Sequence, residues 1–528
     1  MRLGILHLIR REFATLSTAI AALLAVSTLL GQIPSALADT ARPNIVFISS
    51  DNQSFRDTGF AGHPQIQTPH LDRIAKGGVV FSNAYCNSPV CAPGRAAMMT
   101  GMFASDSNSF GNATPWDGTH AVWADHLKKA GYYARSIGKL DLNGNFETGF
   151  EEFESKHGHV ENPDITALFR RPLGYRIGER PNVNGGPRDA PHEDGRWTAM
   201  ATQFIREESS DLGKPWALYL GLHQPHVAYF ERMGFLALQK YWDKYPRERI
   251  QLPDVPLDHL ENQHLVFQEL RRFKRLATPL PENNVRRAIA GYYGMISELD
   301  EYIGQVWDAL EQTNQLENTI FVFTSDNGMS MGEHGLFFHN SLYEEAIHVP
   351  MLIAGPGIPS GLTIDTPVGH VDLISTLLDM ADAKPESKLR GRSLLPLMNG
   401  NNQASPEFVY AENHSEGNCT GSFMIRKGPW KYIHFTWYDD LLFNLAQDPR
   451  EMNNLANEPG AQTVKKELKA ILDSQVDTES LTLKAFKRQE QILNDLVDRM
   501  SEDELYQLFE FRLGPGQARA MAAKYKGR

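Results

Sequence analysis

Asn44-Ile-Val-Phe-Ile-Ser-Ser-Asp-Asn52 and Thr319-Ile-Phe-Val-Phe-Thr-Ser-Asp-Asn-Gly328 are the two stretches from which the fold can be read. Each begins as a short apolar, β-branched run with no polar alternation, the pattern of a strand covered on both faces. Each then delivers Ser-Asp-Asn at its end. Strands are expected at residues 44–49 and 319–324, and by the same pattern at 132–137, 216–222 and 350–354. Helices lie between them, at 121–130 and from about 284 to 312. In the second helix Ile289, Tyr292, Ile296, Leu299, Ile303, Val306 and Leu310 recur at three- and four-residue spacing, one apolar stripe for docking on a core. Strands alternating with helices predict an α/β domain whose central sheet is mostly parallel and flanked by helices. In such sheets ligands collect beyond the carboxyl ends of the strands.

Towards the carboxyl terminus, Asn399-Gly-Asn-Asn-Gln-Ala-Ser-Pro406 reads as a linker. Short antiparallel strands are expected at 424–425 and 430–435, then a charged helical tail, together a small C-terminal α+β subdomain. At the other end Arg2, Arg10 and Arg11 precede an apolar, small-residue stretch and Ser35-Ala-Leu-Ala38, the layout of a secretory signal peptide. The expected organisation is therefore a signal peptide at 1–38, a catalytic domain at 39–400, and a C-terminal subdomain with its tail at 401–528. The mature protein would be secreted or periplasmic, without a membrane span. Residues 151–280, rich in Pro, His and charge, read as long loops over the active face.

The formal net charge of −12 becomes −14 once 1–38 are removed, which argues against a nucleic-acid partner. Three cysteines in 528 residues leave no disulfide framework. Cys86 and Cys419 either pair in an oxidising compartment or remain separate thiols; spacing does not decide.

Two carboxylates and two amides at the ends of two strands, Asp51-Asn52 and Asp326-Asn327, make an oxygen-rich cage for a hard divalent cation. Taken singly, each pair reads rather as a helix N-cap. The stretch Asn87-Ser-Pro-Val-Cys-Ala-Pro-Gly-Arg-Ala-Ala-Met-Met-Thr-Gly101 changes the balance, because it holds Cys91-x-Pro-x-Arg95 followed by Thr100-Gly101.

That motif resembles the signature of the type I sulfatases of the alkaline phosphatase superfamily, in which the cysteine is oxidised to formylglycine. The resemblance continues through Thr68-Pro-His-Leu-Asp72, Ile137-Gly-Lys139, His223-Gln-Pro-His226, Gly332-Glu-His-Gly-Leu336, Gly391-Arg-Ser-Leu-Leu-Pro396 and Trp430-Lys-Tyr-Ile433. The branch it evokes is that of bacterial choline-sulfatase-like and polysaccharide sulfatases. It implies an alkaline-phosphatase-like fold, a maturation enzyme as partner, and a metal, calcium with magnesium as the alternative. Asp51, Asp326, Asn327 and the modified Cys91 would hold that metal. Asn52 stands where many relatives have a second Asp and is a further candidate ligand. Arg95 and Lys139 would lie near the formylglycine and the sulfate, where cations stabilise developing negative charge. The implied reaction is attack of a gem-diol oxygen on sulfur, with His226 protonating the leaving oxygen and a second diol hydroxyl allowing release of sulfate. His223 is either a substrate contact or a core histidine.

The chain departs from the family at two positions. Relatives commonly carry Gly-Lys-x-His where this chain has Gly138-Lys-Leu-Asp141; Asp141 would be the base, provided a cation keeps it from repelling sulfate. His339 occupies the slot of a sulfate-contacting Lys. Gly94 fills a variable position of the motif. The substrate expected is a sulfated carbohydrate or polysaccharide, with Trp116 and Asp117 lining its pocket. Arg271-Arg-Phe-Lys-Arg275 is either a polyanion contact or, the reading favoured, a solvated helix face. The rival functions are a phosphonate monoester or phosphodiester hydrolase on the same scaffold, and a catalytically inactive relative that binds sulfated glycans. Choline esters are disfavoured by the signal peptide.

Overall fold

A computed structural model describes residues 42–114, 116–142, 148–153, 168, 183–227, 234–401, 403, 405–513 and 515–527. The expected signal peptide lies outside them, as do 154–167, 169–182 and 228–233 of the stretch read as loops. Residues from Pro43 onward form one unit.

In chain order its main elements begin with β1 (Asn44–Ser50), α1 (Pro69–Lys76), β2 (Gly78–Phe81), α2 (Cys91–Thr100), α3 (Trp123–Lys129), β3 (Tyr133–Gly138) and β4 (Glu152–Phe153). Then come α4 (Glu193–Gln203), β5 (Trp216–Gly221), α5 (Leu265–Phe273), α6 (Glu282–Gln312), β6 (Thr319–Ser325), β7 (Met351–Ala354), β8 (Leu362–Ile364) and α7 (His370–Met380). The eight strands form one sheet in the order β8-β2-β7-β6-β1-β5-β3-β4. All neighbours run parallel except β7, which is antiparallel to both β2 and β6. The sheet is thus mostly parallel, as expected, and each of the five strands read from sequence is present.

Side chains of β1 alternate between two cores. Ile45 and Phe47 point into one with Trp123 and Tyr219, and Val46 and Ile48 into the other with Leu299 and Ile303 of α6. All four strand residues are fully buried. Each such side chain contributes about 1.5–3 kcal/mol, which is why the central strands have no polar face. The apolar stripe of α6 is buried along its length, as its spacing requires. Asp300 on that helix accepts from the backbone N–H groups of His70 and Leu71 (3.1 and 2.8 Å), satisfying orphan donors at the start of α1.

A second sheet, β9 (Val409–Asn413), β10 (Ser422–Lys427), β11 (Trp430–Phe435) and β12 (Leu441–Asn444), is antiparallel throughout. Helices α8 (Gln462–Gln475), α9 (Thr478–Arg499), α10 (Glu502–Leu513) and α11 (Pro515–Lys526) follow. Lys431 of β11, fully buried, is paired with Glu344 and Glu451 at 2.9 and 2.8 Å, and so ties this sheet to the segment between β6 and β7 of the larger sheet. The tail helices pack Leu496, Leu505 and Phe509 with Ala113, on a loop that reaches the start of α2.

Cys86, Cys91 and Cys419 are free thiols. The run at 271–275 divides. Arg271 is buried, Lys274 turns inward, and Arg272 pairs with Glu269, so no continuous basic face is presented. The stretch read as long loops contains α4, β5 and α5 among its described residues. No helix among the described residues is long and apolar enough to cross a membrane.

Candidate active site at the strand ends

Register builds the first half of the site. Ser50 pairs with Ser325, Ser49 with Gly221, and Gly138 with Gly221, so three neighbouring parallel strands and their flanking partner end on one line. The next residues are therefore Asp51, Asp326 and, two strands away, Lys139. Lys139 donates its backbone N–H to Gly221 O at 2.8 Å. A Cβ on Gly221 would lie 1.9 Å from Lys139 O, so only glycine permits this approach.

Helix α2 supplies the second part. Cys91 is its first residue, at the positive end of the helix dipole. Val90 offers no side-chain cap, and the Ala92 N–H is satisfied instead by Asn112 Oδ1 (3.0 Å). Cys91 Sγ lies 3.7 Å from Asp51 Oδ1 and 4.0 Å from His339 Nε2. One turn on, Arg95 is completely buried beneath the carboxylates. It donates to Asp326 Oδ2 (2.9 Å), Lys139 O (2.8 Å) and Tyr219 OH (2.9 Å), with Asp51 Oδ2 at 3.5 Å. It thus holds both carboxylates from within the protein, one helical turn from Cys91. Gly94 lets α2 settle this close: a Cβ there would stand 2.8 Å from Ser88 O and 3.1 Å from Asp326 O.

Lys139 pairs with Asp51 and, at 3.1 Å, with Asp141, which adopts a left-handed backbone (φ 56°). Asp141 therefore has the cation that a carboxylate at this place requires. Burial alone would raise Asp51, but Lys139, His226 and Arg95 outweigh it and hold its carboxyl well below the usual range. Asp326 is pushed up to about 6 by burial and by Asp51. Burial, then Asp51, raises the Cys91 thiol well above its ordinary value, so the unmodified side chain stays protonated and unreactive.

The fit to a metal rests on the oxygens. Ligand atoms of Asp51, Cys91 and Asp326 lie within 4.8 Å of one another, all buried. Asn327 Oδ1 is buried with no hydrogen-bond partner, while its amide nitrogen donates to Gly328 O (2.9 Å) and Asn52 Oδ1 (2.5 Å). A buried acceptor left unpaired beside two carboxylates suits a hard cation. Asn52 has φ 68°, and its Oδ1 already receives Asn327, so its plain contribution is to orient that side chain.

The third part is imidazole. His226 donates Nδ1–H to Val227 O (2.8 Å), leaving Nε2 as the lone-pair nitrogen. Burial lowers it to about 4, and it lowers His223 and His339 well below their ordinary values too, so all three rings are neutral near pH 7. The turn carrying His223 and His226 hangs on Asp194, whose Oδ1 and Oδ2 accept from the backbone of His223 and Gln224, both at 2.8 Å. Gln224 donates in turn to Glu298 (3.0 Å), which Arg188 grips with two contacts. The His339 segment is held by Lys274, which donates to His339 O (2.7 Å), and by Asn413 of β9, which donates to Asn340 O (2.7 Å).

Cys91, Arg95, Lys139, Asp141, His226, His339, Asp51, Asn52, Asp326 and Asn327 thus meet in one place, with the His223 ring tilted against that of His226 at a centroid separation of 4.7 Å. Trp116 is packed in the core, 3 % exposed, and Asp117 accepts from Asn108 and Thr119, an arrangement that closes a turn. Sequence reasoning missed Asp194, Tyr219, Asn112 and Asn413. Lys274 was noticed only as part of a charged run.

A family profile described as Sulfatase matches residues 43–383, and one described as N-sulphoglucosamine sulphohydrolase, C-terminal, matches 332–478. Arylsulfatase K of Danio rerio is 33 % identical over 450 residues, covering 82 % of this chain and 84 % of that protein. Choline-sulfatase of Rhizobium meliloti (strain 1021) is 32 % identical over 456 residues, covering 82 % and 86 %. Among solved structures, phosphonate monoester hydrolase of Agrobacterium radiobacter superposes with a TM-score of 0.69 at 23 % identity, covering 82 % of this chain and 95 % of that one. A protein solved with its substrate D-glucosamine-2-N,6-O-disulfate superposes with a TM-score of 0.66 at 22 % identity, covering 84 % and 98 %.

Proposed function

This chain belongs to the sulfatase family, the type I sulfatases of the alkaline phosphatase superfamily, and from that premise we propose that it is a secreted or periplasmic enzyme removing sulfate from a carbohydrate, with Cys91 converted to formylglycine by a maturation enzyme. It is a sulfuric ester hydrolase by family. The observation that carries the finer reading is the position of Cys91 Sγ, between Asp51 Oδ1 at 3.7 Å and His339 Nε2 at 4.0 Å, at a helix start.

Asp51, Asp326, Asn327 and the side chain at 91 would hold a hard dication, calcium or magnesium. The aldehyde, when hydrated, supplies a nucleophilic oxygen and a second hydroxyl that permits sulfate release, and the cation supplies positive charge beside them. The rest falls to ordinary side chains. Arg95 fixes both carboxylates so that the cage is formed before substrate arrives. Lys139 balances Asp51 and Asp141 and supplies positive charge to the sulfate oxygens. Asp141 is placed to take a proton once Lys139 shields it. His226, neutral in the free site, gains a proton when a sulfate anion is seated beside it, and passes it to the leaving oxygen. His339 replaces the family's cation with a neutral hydrogen-bonding ring.

A carbohydrate substrate is favoured by the relative solved with a sulfated glucosamine and by the C-terminal profile match. The test is peptide mass spectrometry of chain made with a maturation enzyme, followed by sulfate release from a panel of sulfated sugars, choline sulfate and an aryl phosphonate monoester. An aldehyde at 91 with release from a sugar sulfate supports the reading. Preferential cleavage of choline sulfate or of the phosphonate would replace it, and an unconverted, inactive chain would favour a glycan-binding role.

A further inference from the structure

We propose that Cys91, His226 and His339 form a binding site for a soft divalent cation of the zinc class as long as Cys91 is still a thiol. The three side chains come from α2, the turn after β5 and the loop after β6, and each is at most 8 % exposed. A ligand atom of each lies within 4.8 Å of the others, and Cys91 Sγ is 4.0 Å from His339 Nε2. With Zn–S near about 2.3 Å and Zn–N near about 2.1 Å, tetrahedral coordination places S and N about 3.6 Å apart. Closure of the Cys91–His339 pair by a few tenths of an ångström reaches this separation, and His226, within 4.8 Å of both, draws in to complete the set.

The surroundings agree. Val227 O accepts Nδ1–H of His226 at 2.8 Å, the backbone-carbonyl partner that typically orients a metal-binding imidazole and makes Nε2 its lone-pair nitrogen. Lys274 and Asn413 pin the loop that carries His339. On binding, the S–H bond gives way to Zn–S and the proton leaves to solvent. Thiolate with two imidazoles is a soft donor set, distinct from the carboxylate and amide oxygens of Asp51, Asp326 and Asn327. Conversion of Cys91 removes the sulfur ligand, so the two forms of the protein differ in zinc affinity.

The test uses full chain made without a maturation enzyme, with the free thiol at 91 verified by mass, in excess calcium to fill the carboxylate side. Zinc is titrated against a chromophoric chelator, and zinc-edge X-ray absorption is recorded on the loaded wild-type protein. The expected result is one zinc per chain with a sulfur neighbour near about 2.3 Å. Affinity should fall at least about tenfold in His226→Ala and in His339→Ala, and further in Cys91→Ser. Zinc coordinated by oxygen alone, or bound equally well by Cys91→Ser, would overturn the proposal. If the alanine variants do not fold, the wild-type spectrum still decides. Failure here leaves the sulfatase reading intact, since that is judged by the aldehyde and by sulfate release from converted chain.

Discussion

Asp194 is the residue through which the imidazole side of the site is most exposed to a single change. Its two oxygens accept from His223 N and Gln224 N at 2.8 Å each, it is fully buried, and no part of it touches Cys91 in the contacts described. In Asp194→Asn one oxygen becomes an NH2 that faces a backbone N–H, donor against donor. A hydrogen bond to a charged acceptor is worth about 1.5–3 kcal/mol, and an amide left unsatisfied costs a further 1–3 kcal/mol or so. The turn therefore has about 3–5 kcal/mol driving it out of place, and it cannot swing far without losing the Gln224–Glu298 contact. A displacement of about 1 Å in a group near the reacting atoms lowers rate by around a hundredfold.

The assay is kcat/KM on two aryl sulfates, one with a good and one with a poor leaving group, alongside guanidinium unfolding. If Asp194 acts by placing His226, the loss is larger for the poor leaving group, because only that substrate depends on protonation of its departing oxygen. His226→Ala should show the same asymmetry, amplified. Equal losses on both substrates, or a loss of stability with kcat/KM unchanged, would refute the positioning argument.

Arg95→Ala strips two fully buried carboxylates of their guanidinium and is expected to cost about 3–5 kcal/mol, read as a lowered guanidinium midpoint, with activity abolished. Gly94→Ala drives a Cβ to 2.8 Å from Ser88 O and should cost about 1–3 kcal/mol while lifting α2, so that kcat drops without a matching rise in KM. Calcium chelation is expected to abolish sulfate release and lower the thermal midpoint, both restored by added calcium. Burial pushes Asp300 up to about 7 in the folded chain, above its unfolded value, so its stabilisation is present below about pH 4 and is lost as pH rises through 7. Relative to Asp300→Asn, the wild-type protein should therefore lose up to about 4 kcal/mol between pH 4 and pH 8, measured by denaturant titration.

What the sequence made legible follows from where folding energy is local. The strands at β1, β5 and β6 were readable because burial on both faces forces an uninterrupted apolar run. Strand β2, Gly78–Phe81, and the partly exposed β8, Leu362–Ile364, were not, because they are short and exist through pairing with each other and with β7. Asp51, Asp326 and Cys91 were legible because strand ends and a motif fix them together. Arg95 was read beside the sulfate, yet its hydrogen bonds run to Asp326, Tyr219 and the Lys139 carbonyl. No spacing rule signals Asp194, which lies 29 residues from the His223 N–H that donates to it. Lys274 was visible as charge but not as a donor turned inward, because a run of five residues holding four cations reads as a solvated face until the helix is placed.

The two halves of the site are held by different kinds of structure, and this separates chemistry from selectivity. Asp51, Asp326 and Lys139 directly follow the ends of β1, β6 and β3, whose register through β5 fixes them by backbone hydrogen bonds, and Arg95 locks the carboxylates from beneath. Nothing short of refolding the sheet moves them. His226 and His339 instead sit on loops, and their hold comes from side chains far away in sequence: Asp194 and Glu298 on one, Lys274, Asn413 and Glu416 on the other. Of these, Asn413 and Glu416 lie on or beside the edge strand of the C-terminal sheet, which Lys431 fastens to Glu344. The C-terminal subdomain therefore helps hold a residue 4.0 Å from Cys91 Sγ without contributing one to the Asp51–Asp326 cluster. Changes in that subdomain can alter which sulfate ester fits beside His339 while the cage and the side chain at 91 remain where the sheet and α2 put them.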